Sequence, residues 1–382
     1  TTAVAPVPVT FISSHAHGGG SERYLELLLG ELGPDWIRGV VALQDGPFAE
    51  RLRELGYPVE VVPTPARLGM VPAAVRLRRV LRAQRPAVVH ANGVKAALVA
   101  AMATRGTGIP VIWLKHDFSR DGWLARLVGA SSTEVVAVAE AITATFGERS
   151  RARARTRVVP NGIPDLDLDA AAGRAAVADL VGDADAPVVS LIGRLDSAKG
   201  QLELVEAAPA VLLREPRARF LLVGGEDPNQ PGFGDRLRGR IAELGLEDAV
   251  VLAGHRTDAV ELMAGSTVIV MPSVPNEFGG GKEACPFALL EAMAARTPVV
   301  AYASGGIPEV LDDCGALVAE ADRAALADAI ARLLADAAER DRLAACAHER
   351  VRTRFRLETT VDAMRERYAA VAAGTGSAVA GG

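Results

Sequence analysis

Two cations flank a predicted strand-to-helix turn in the second half of the chain. The apolar run VVSLIG is followed by the segment RLDSAKG at 194–200, after which a helical pattern begins. A helix start offers unpaired N–H groups and the positive end of the helix dipole, and both attract anions. The guanidinium of Arg194 and the ammonium of Lys199 together suit a diphosphate. The alternative interpretation is a pair of surface cations on an ordinary turn.

A second segment places two acids near each other. In NEFGGGKEACPFALLEAMAARTPVV at 276–300, Glu283 lies in a glycine-rich loop and Glu291 lies inside the predicted helix behind it. Pro286 fits the first turn of that helix. A carboxylate can accept hydrogen bonds from two adjacent hydroxyl groups, which are groups that sugars present. The two acids therefore predict a carbohydrate-binding site that needs no metal ion.

Glycines and a histidine follow predicted strands in the first half of the chain. After VTFISS, the run Gly18–Gly20 precedes a helix, and its backbone could approach a ligand closely. The run is not GxGxxG, so a nicotinamide cofactor is poorly supported, and a tight turn is the alternative. After VIWLK, His116 could assist the movement of a proton or charge, although a structural histidine fits the sequence equally well.

Two further patterns are weak candidates for a metal site. His15 and His17 have no third ligand near them in the sequence. The acidic run DLDLD at 165–169 lies in a connector rather than at a strand end, and a solvated linker is the better interpretation. The sequence therefore predicts no bound metal.

The candidate residues must be positioned by the elements around them. Short apolar, β-branched runs such as AVVHA, VIWLK, RFLLVG and TVIVMP alternate with longer runs that are apolar at 3.6-residue spacing. Strands that are apolar throughout are covered on both faces, which indicates parallel sheets with helices on each side. The chain therefore predicts two doubly wound, Rossmann-like α/β domains that face an interdomain cleft, with ligands beyond the carboxyl ends of the strands.

The predicted domain boundary falls in a connector marked by Pro and Asp. The first domain covers 1–163 and the second covers 164–355. A last helix at about 356–373 could cross back to the first domain, and 374–382 is predicted to be a flexible tail.

Composition narrows the classes of function. A net charge of −5 gives no basic field for nucleic acid. No apolar run reaches the ~18 residues of a membrane span. The start TTAVAPVPVTFISS lacks a basic region and predicts a strand rather than a signal peptide. The three cysteines are too few and too scattered for a disulfide framework or a zinc site, which favours a reducing cytoplasm.

Several of these motifs together resemble a known family. GRLDSAKG, then EACPFALLE with its two acids, then AMAARTPVVAYASGGIPEVL, is similar to the retaining family 4 glycosyltransferases of the GT-B fold. The likeness extends to GGGSER, AVVHANG, KHD, VVPNGI and VLAGHRTDAVELMAGSTVIVMPS, and so covers nearly the whole chain. It implies that the first domain serves the acceptor and that the second binds a nucleotide-sugar donor.

The resemblance also implies roles for individual residues. Arg194 and Lys199 would hold the nucleotide diphosphate, Glu291 the ribose hydroxyls and Glu283 the hydroxyls of the donor sugar. His116 would lie near the transferred sugar, and with Arg194, Lys199 and Glu283 it forms the predicted catalytic set.

Other positions complete the implied site. The predicted donor contacts also include the Gly18, Gly19 and Gly20 loop, the backbone around Arg256, and Cys285, Phe287 and Ala288 after the first acid. The segment SGGIPE at 304–309 would pack beside the phosphate loop. The acceptor-side candidates are Glu22, Asn92 and Asp117.

The sequence departs from the family pattern after Glu283. The family often has E-G-F-G there, whereas this chain has EACPF, and Pro286 lacks the N–H that would contact the sugar. This departure leaves the identity of the sugar open. The segment Glu277-Phe278-Gly279 resembles the start of the family motif, which has a second Glu eight residues after the first. The residue eight positions after Glu277 is Cys285, whereas the residue eight positions after Glu283 is Glu291. Glu283 and Glu291 are therefore the better match to the motif.

The function implied is a retaining, metal-independent transfer of a hexosyl group from a nucleotide diphosphate sugar, preferably a UDP-sugar, to a small polar acceptor such as an aminocyclitol. The nucleotide sugar is a co-substrate, and no cofactor is expected. The alternatives are a membrane lipid or polysaccharide acceptor, a nucleotide-sugar epimerase of the same fold, and a non-catalytic sugar-nucleotide-binding protein. The basic helix at 71–85 could contact a membrane, although an ordinary packed helix is favoured.

Overall fold

The computed structural model describes residues 4–16, 19–64, 69–118, 122–276 and 281–379, which form two compact units. Unit 1 comprises residues 1–162 and 357–382, and unit 2 comprises residues 163–356. Each unit is built around one parallel sheet.

Unit 1 contains a seven-stranded sheet in the order β3-β2-β1-β4-β5-β6-β7, with every pair parallel. Its strands are β1 (Val9–Ser13), β2 (Ile37–Ala42), β3 (Val59–Val61), β4 (Val88–Asn92), β5 (Val111–Lys115), β6 (Glu134–Ala137) and β7 (Thr156–Val158). The helices between them are α1 (Gly20–Leu32), α2 (Pro47–Glu54), α3 (Met70–Gln84), α4 (Val94–Thr104), α5 (Trp123–Ser131), α6 (Glu140–Thr143) and α7 (Arg151–Ala154). The central strands β1, β4 and β5 are buried along their whole length, because helices cover both faces of the sheet.

Unit 2 contains a six-stranded parallel sheet in the order β10-β9-β8-β11-β12-β13. Its helices are α8 (Ala170–Val181), α9 (Gln201–Leu212), α10 (Phe233–Glu243), α11 (Ala259–Gly265), α12 (Phe287–Ala294), α13 (Ile307–Leu311), α14 (Arg323–Ala335) and α15 (Ala337–Arg354). Its strands are β8 (Val188–Ile192), β9 (Arg219–Val223), β10 (Val250–Gly254), β11 (Val268–Met271), β12 (Val299–Tyr302) and β13 (Ala316–Val318). The prediction of two doubly wound parallel α/β sheets is confirmed.

An ion pair between a buried acid and a half-exposed arginine fixes the helix that starts at the predicted phosphate loop. Glu203 on α9 accepts hydrogen bonds from the hydroxyl of Tyr302 at 3.1 Å and from both Nε and Nη2 of Arg323 at 2.9 and 2.6 Å. These bonds join α9 to β12 and α14. The start of α9, directly behind the loop 194–200, is thereby held at the sheet.

The helix α16 (Leu357–Val379) follows unit 2 in the sequence but belongs to unit 1. Its Tyr368 is fully buried, contacts Phe11 and Trp36, and shares a 2.8 Å hydrogen bond with Nδ1 of His90. Arg365 donates to the backbone oxygen of Glu31 at the end of α1. The helix continues to Val379, and residues 380–382 lie outside the described part of the chain.

Candidate active site

The strand order of unit 2 creates one position where a ligand can enter. From β8 the chain continues to β9 and β10 on one side, whereas β11, β12 and β13 lie on the other. The loops that follow β8 and β11 therefore diverge, and ligands of doubly wound sheets bind at such a switch point. The segment 194–200 follows β8, and the segment that carries Glu283 follows β11.

The loop after β8 is held in shape by its own side chains. Asp196 accepts a hydrogen bond from the N–H of Ala198 at 2.9 Å, which caps a 3₁₀ turn at 197–199. Gln201 donates to the backbone oxygen of Arg194 at 2.8 Å. Gly200 has φ +77°, and a Cβ at this position would lie 1.9 Å from the backbone oxygen of Pro272. Only glycine permits this approach of the loop to the end of β11.

Arg194 is oriented by two acids. Its Nε lies 3.2 Å from Oδ2 of Asp227, and its Nη2 lies 3.3 Å from Oδ2 of Asp196. Asp227 is only 4% exposed, and its Oδ1 accepts from both the backbone N–H and the side-chain amide of Asn229 at 2.9 Å. With Nε held by Asp227 and Nη2 held by Asp196, Nη1 is the guanidinium nitrogen that can meet an anion without loss of either contact.

The loop after β9 contributes residues that the sequence interpretation missed. Gln230 accepts from the N–H of Ser197 at 3.1 Å and donates to Oδ1 of Asp196 at 2.7 Å. Asp227 comes from the same loop. The sequence offered only the position of this loop, directly after a predicted strand, as an indication that it belongs to the site. The loop reaches the site because β9 adjoins β8 and the carboxyl ends of both strands meet at one sheet edge.

The loop after β11 brings the first acid to the second cation. Nζ of Lys199 lies 2.5 Å from Oε1 of Glu283, and the hydroxyl of Ser273 donates to the same oxygen at 3.4 Å. The backbone oxygen of Glu283 accepts from Gly306 at 2.7 Å, which joins the segment 304–309 to this loop. Arg194, Lys199 and Glu283 are therefore neighbours at one switch point.

The second acid lies on the helix behind that loop. Glu291 is half-buried within α12, and Pro286 occupies the position before the first helical residue. The side chains of Cys285 and Phe287 are buried, whereas Ala288 is half-buried. The first-turn N–H groups of Phe287 and Ala288 have no acceptor within the helix, so any contribution from these positions to ligand binding would come from the backbone.

Arg256 lies after β10, on a different loop from Arg194 and Lys199. Its Nε and Nη2 donate to the two carboxylate oxygens of Asp258 at 2.8 and 2.6 Å. The hydrogen bonds from Arg256 hold the pKa of Asp258 below its usual range. The guanidinium is therefore engaged within its own loop, and a contact between the backbone near Arg256 and a ligand stays a prediction.

Unit 1 assembles its own polar cluster, at the carboxyl ends of β4 and β5 and at the start of α1. Nε2 of His116 lies 2.5 Å from Oδ1 of Asn92, whose Nδ2 donates to the backbone oxygen of Ser21 at 2.9 Å. The Ser21 hydroxyl donates to Oε2 of Glu22 at 2.8 Å. Burial lowers the pKa of His116 to about 4, against the opposing charge of the exposed Asp117.

The glycine run before α1 is described only in part. Gly19 is the residue before the helix and Gly20 is its first residue, whereas Gly18 lies outside the described residues. A Cβ at Gly19 would lie 3.1 Å from Oε2 of Glu22. The segment 277–280, which includes Gly279 and Gly280 of the glycine-rich loop before Glu283, also lies outside the described residues.

One of the weak metal candidates has a clear structural role. Oδ1 of Asp169 accepts from the N–H groups of Ala171 and Ala172, which caps α8 and lowers the pKa of this acid. Asp165 and Asp167 are exposed, His15 is exposed, and His17 lies outside the described residues.

The cysteines require a correction. Within the described ranges, the only group of three side chains that could share a metal is Asp313, Cys314 and Cys346, and its two sulfur atoms are joined in a disulfide. Cys314 and Cys346 are 32 positions apart, and their Cα atoms come within 5.1 Å because α15 packs beside the turn after α13. The prediction from cysteine spacing that no disulfide forms is therefore wrong for this pair. The inference of a reducing compartment rested on that prediction and is no longer supported by the cysteines.

The basic helix is α3, on the outside of unit 1. Arg78, Arg82 and Arg85 line part of a surface cavity of about 440 Å³, and Val71 and Val75 are exposed. Among the described residues, no helix is both long and apolar enough to span a bilayer.

Two family descriptions match the chain. Residues 186–336 match the family described as "Glycosyl transferases group 1", and residues 19–162 match the "Glycosyl transferase 4-like domain". The two matched regions correspond to most of unit 2 and of unit 1.

Curated relatives agree with these matches. A D-inositol 3-phosphate glycosyltransferase from Frankia alni is 30% identical over 288 residues, which is 68% of this chain and 68% of that enzyme. An enzyme of the same description from Acidothermus cellulolyticus is 30% identical over 65% of this chain, but the match spans 59% of its own length. A GDP-mannose-dependent alpha-(1-6)-phosphatidylinositol monomannoside mannosyltransferase from Mycolicibacterium smegmatis is 28% identical over 83% of this chain and 86% of that enzyme.

A solved structure is similar over nearly the whole chain. The Anabaena protein Alr3699/HepE in complex with UDP has a TM-score of 0.82 and 25% identity, and the match covers 95% of this chain and 100% of that one. The same protein in complex with UDP-glucose gives a TM-score of 0.81. These matches define the class of protein as a nucleotide-sugar-dependent glycosyltransferase with the GT-B fold. Within that class, the chain belongs to the group 1, or family 4, glycosyltransferases.

Proposed function

We propose that this enzyme transfers a hexosyl group from a UDP-sugar to a hydroxyl of a small polar acceptor, with retention of the anomeric configuration. The observation that carries the proposal is the pair of cations, Arg194 and Lys199, beside Glu283 at the switch point of unit 2. Two cations suit the two phosphates of the donor, and the adjacent acid suits sugar hydroxyls.

The chemistry follows from the charge that develops on the leaving group. The bond between the anomeric carbon and the β-phosphate oxygen breaks, and the acceptor oxygen bonds to the same face of that carbon. The acceptor proton passes to the leaving phosphate oxygen. Arg194, Lys199 and the start of α9 are suited to stabilise the negative charge on the diphosphate as it forms.

The donor assignment draws support from a neighbour in structure. The Anabaena protein binds UDP and UDP-glucose in its crystals. The Mycolicibacterium relative depends on GDP-mannose, so GDP-mannose is the competing donor. Calorimetry with UDP, UDP-glucose, GDP and GDP-mannose separates the two donors. Tighter binding of the guanine nucleotides than of the uracil nucleotides would contradict the proposal.

A cyclitol or aminocyclitol is the preferred acceptor class. The Frankia relative is described by its action on D-inositol 3-phosphate, which is a small polyol. Incubation with UDP-glucose alone and then with inositol, inositol phosphates and aminocyclitols, followed by NMR, measures both transfer and the anomeric configuration. Conversion of the donor sugar without any acceptor would indicate an epimerase, and an inverted product would contradict retention.

A lipid acceptor is the second candidate, and two observations favour it. The Mycolicibacterium relative acts on a phosphatidylinositol mannoside, and α3 combines an arginine-lined cavity with exposed valines. Transfer to lipid extracts in the absence of transfer to any soluble polyol would favour this candidate.

We also propose that catalysis needs no divalent metal. Arg194 and Lys199 already supply two positive charges to the diphosphate loop, which is the role a metal would have. Activity should therefore survive EDTA. Loss of activity with EDTA and its recovery with Mg²⁺ or Mn²⁺ would refute this.

A further inference from the structure

We propose that Asn92 is a positioning residue that holds the imidazole of His116 in its Nε2–H tautomer and so presents the Nδ1 lone pair to a hydroxyl of a bound carbohydrate. The carbohydrate depends on the proposed function, whereas the tautomer depends on unit 1 alone. This differs from the sequence prediction, in which Asn92 contacts the acceptor directly.

The hydrogen bonds around Asn92 fix the orientation of its amide. The backbone oxygen of Ser21 can only accept, so the group 2.9 Å from it must be the Nδ2 donor. Oδ1 must then be the atom 2.5 Å from Nε2 of His116. A flipped amide would place its oxygen against the oxygen of Ser21. The contact with Ser21 therefore decides which end of the amide meets the histidine.

The orientation of the amide in turn decides where the histidine carries its proton. Oδ1 of Asn92 can only accept, so Nε2 of His116 must be the donor. In a neutral imidazole the other nitrogen, Nδ1, then has a lone pair and no hydrogen. Nδ1 has no hydrogen-bond partner among the described residues. A donor from outside the described residues, such as a ligand hydroxyl, would satisfy it.

Packing makes this arrangement rigid. Asn92 is 1% exposed at the end of β4, so water does not compete for its amide. The ring of Tyr24 packs edge-on against the imidazole, with a centroid separation of 5.0 Å and an interplanar angle of 70°. Because Asn92 is buried and its amide is engaged at both ends, it acts on a ligand through His116 rather than by contact.

The imidazole is neutral at physiological pH, which selects the class of ligand. The titratable groups near it are Asp117 and His15 beside the strand ends, and His90, Tyr24 and Glu22 on the elements packed around it. Burial dominates and lowers the pKa of His116 to about 4. A neutral nitrogen acceptor is a weak base and accepts hydrogen bonds from hydroxyl groups, which carbohydrates supply. No proton transfer is required.

NMR of the protein with ¹⁵N-labelled histidine tests the tautomer directly. The resonances of His116 are those that disappear in the His116→Gln variant. We expect the pattern of an Nε2–H tautomer in the wild type at pH 7.5. An Nδ1–H tautomer, or a mixture that averages the two nitrogens, would overturn the inference. This readout needs no substrate, so it is independent of the proposed function.

Two substitutions at Asn92 test the positioning role. Asn92→Ala removes the partner of Nε2 and should lower kcat/KM roughly 10-fold, the equivalent of one hydrogen bond. Asn92→Asp keeps an acceptor for Nε2 but adds a negative charge, which raises the pKa of His116. The acidic limb of the kcat/KM profile should then move to higher pH by about one unit or more in the Asp variant only. If Asn92 has a purely structural role, both variants should lose the same fraction of kcat/KM and the acidic limb should stay at the wild-type pH. That result would contradict the proposal.

Calorimetry identifies which hydroxyl meets Nδ1. If it belongs to the donor sugar, Asn92→Ala should weaken UDP-glucose binding and leave UDP binding unchanged. If it belongs to the acceptor, only the KM for the acceptor should rise. Either result supports the inference, whereas unchanged UDP-glucose affinity together with unchanged acceptor KM would overturn it. Should Asn92→Asp fail to fold, the NMR measurement on the wild type still decides the tautomer.

Discussion

Lys199 and Glu283 are 84 positions apart in the sequence, yet Nζ of the lysine lies 2.5 Å from Oε1 of the acid. The cation expected to hold a diphosphate and the acid expected to hold a sugar are therefore partners in this structure. We therefore expect an incoming diphosphate to compete with Glu283 for Lys199. Such an exchange would release the carboxylate to the hydroxyl groups of the sugar.

This competition gives a prediction for Glu283→Gln, which removes the charge and keeps the size of the side chain. UDP no longer competes with a carboxylate, so its affinity should rise about 5-fold, the equivalent of roughly 1 kcal/mol for a partly exposed ion pair. Turnover of the nucleotide sugar should fall because the sugar loses a charged acceptor. Calorimetry with UDP and steady-state kinetics measure the two effects.

The matched control is Glu339→Gln, which removes the carboxylate of an exposed pair with Arg342 on α15. It should change neither UDP affinity nor turnover. Unchanged or weaker UDP binding in Glu283→Gln would mean that Lys199 does not meet the diphosphate.

The second prediction compares two glycines that have nearly the same backbone conformation. Gly182 has φ +72°, and a Cβ added there would meet no atom of the described residues within 4 Å apart from its neighbours in the sequence. At Gly200, with φ +77°, the added Cβ would collide with the oxygen of Pro272. Gly182→Ala should cost about 1 kcal/mol of unfolding free energy, from backbone strain alone. Gly200→Ala should cost clearly more and should also weaken UDP binding, because the phosphate loop must move. Equal losses in urea unfolding would show that the contact with Pro272 is unimportant.

The third prediction concerns the pH dependence of stability. Burial lowers the pKa of His90 to about 3, whereas an unfolded histidine titrates near about 6.5. Below about pH 6.5 this histidine is therefore protonated in the unfolded state but stays neutral in the native state. Native stability should fall by up to about 1.4 kcal/mol per pH unit as the pH decreases toward the native pKa.

Urea unfolding at pH 7.5, 6.0 and 5.0 measures this loss. In the His90→Gln variant, the unfolding free energy should depend less steeply on pH. The remaining dependence should include the contribution of His116. His255→Gln, at an exposed histidine, serves as the control and should keep the wild-type slope. A His90→Gln variant with the full wild-type slope would contradict the assignment.

The fourth prediction concerns the disulfide between Cys314 and Cys346. Unreduced, denatured protein should show one reactive thiol, Cys285, and reduced protein should show three. The bond closes a loop of 32 positions, so Cys346→Ser should lower the unfolding free energy by about 3–4 kcal/mol in the chain-entropy description. Reductant should destabilise the wild type but not this variant. Three reactive thiols without reduction would disprove the pairing.

The fold was predictable because its signals are local in the sequence. Runs such as VVSLI and VIWLK, apolar at nearly every position, predict buried parallel strands, and both lie in the centre of a sheet. The alternation with helical patterns then predicts doubly wound sheets. The cationic loop at 194–200 was equally visible in the sequence, because its two cations lie on one short turn.

The partners of the site residues were not predictable, because each pairing joins distant segments. Asp227 is one of several polar residues in a loop, and only the pairing of β8 with β9 brings it to Arg194. Asn92 and His116 end neighbouring strands, but the spacing does not show that one orients the other. The cysteine pair likewise depends on how α15 packs. The roles of these residues toward ligands remain predictions.

The placement of α16 sets an order for biosynthesis. The strands of unit 1 leave the ribosome first, but the place filled by Tyr368 beside Phe11 and Trp36 stays open until all of unit 2 has been made. At about 5–20 residues per second, residues 163–356 take roughly 10 to 40 s to synthesise. During that interval the nascent unit 1 exposes apolar surface next to a buried histidine. Translation speed through unit 2 thus sets how long this surface waits for the helix that covers it.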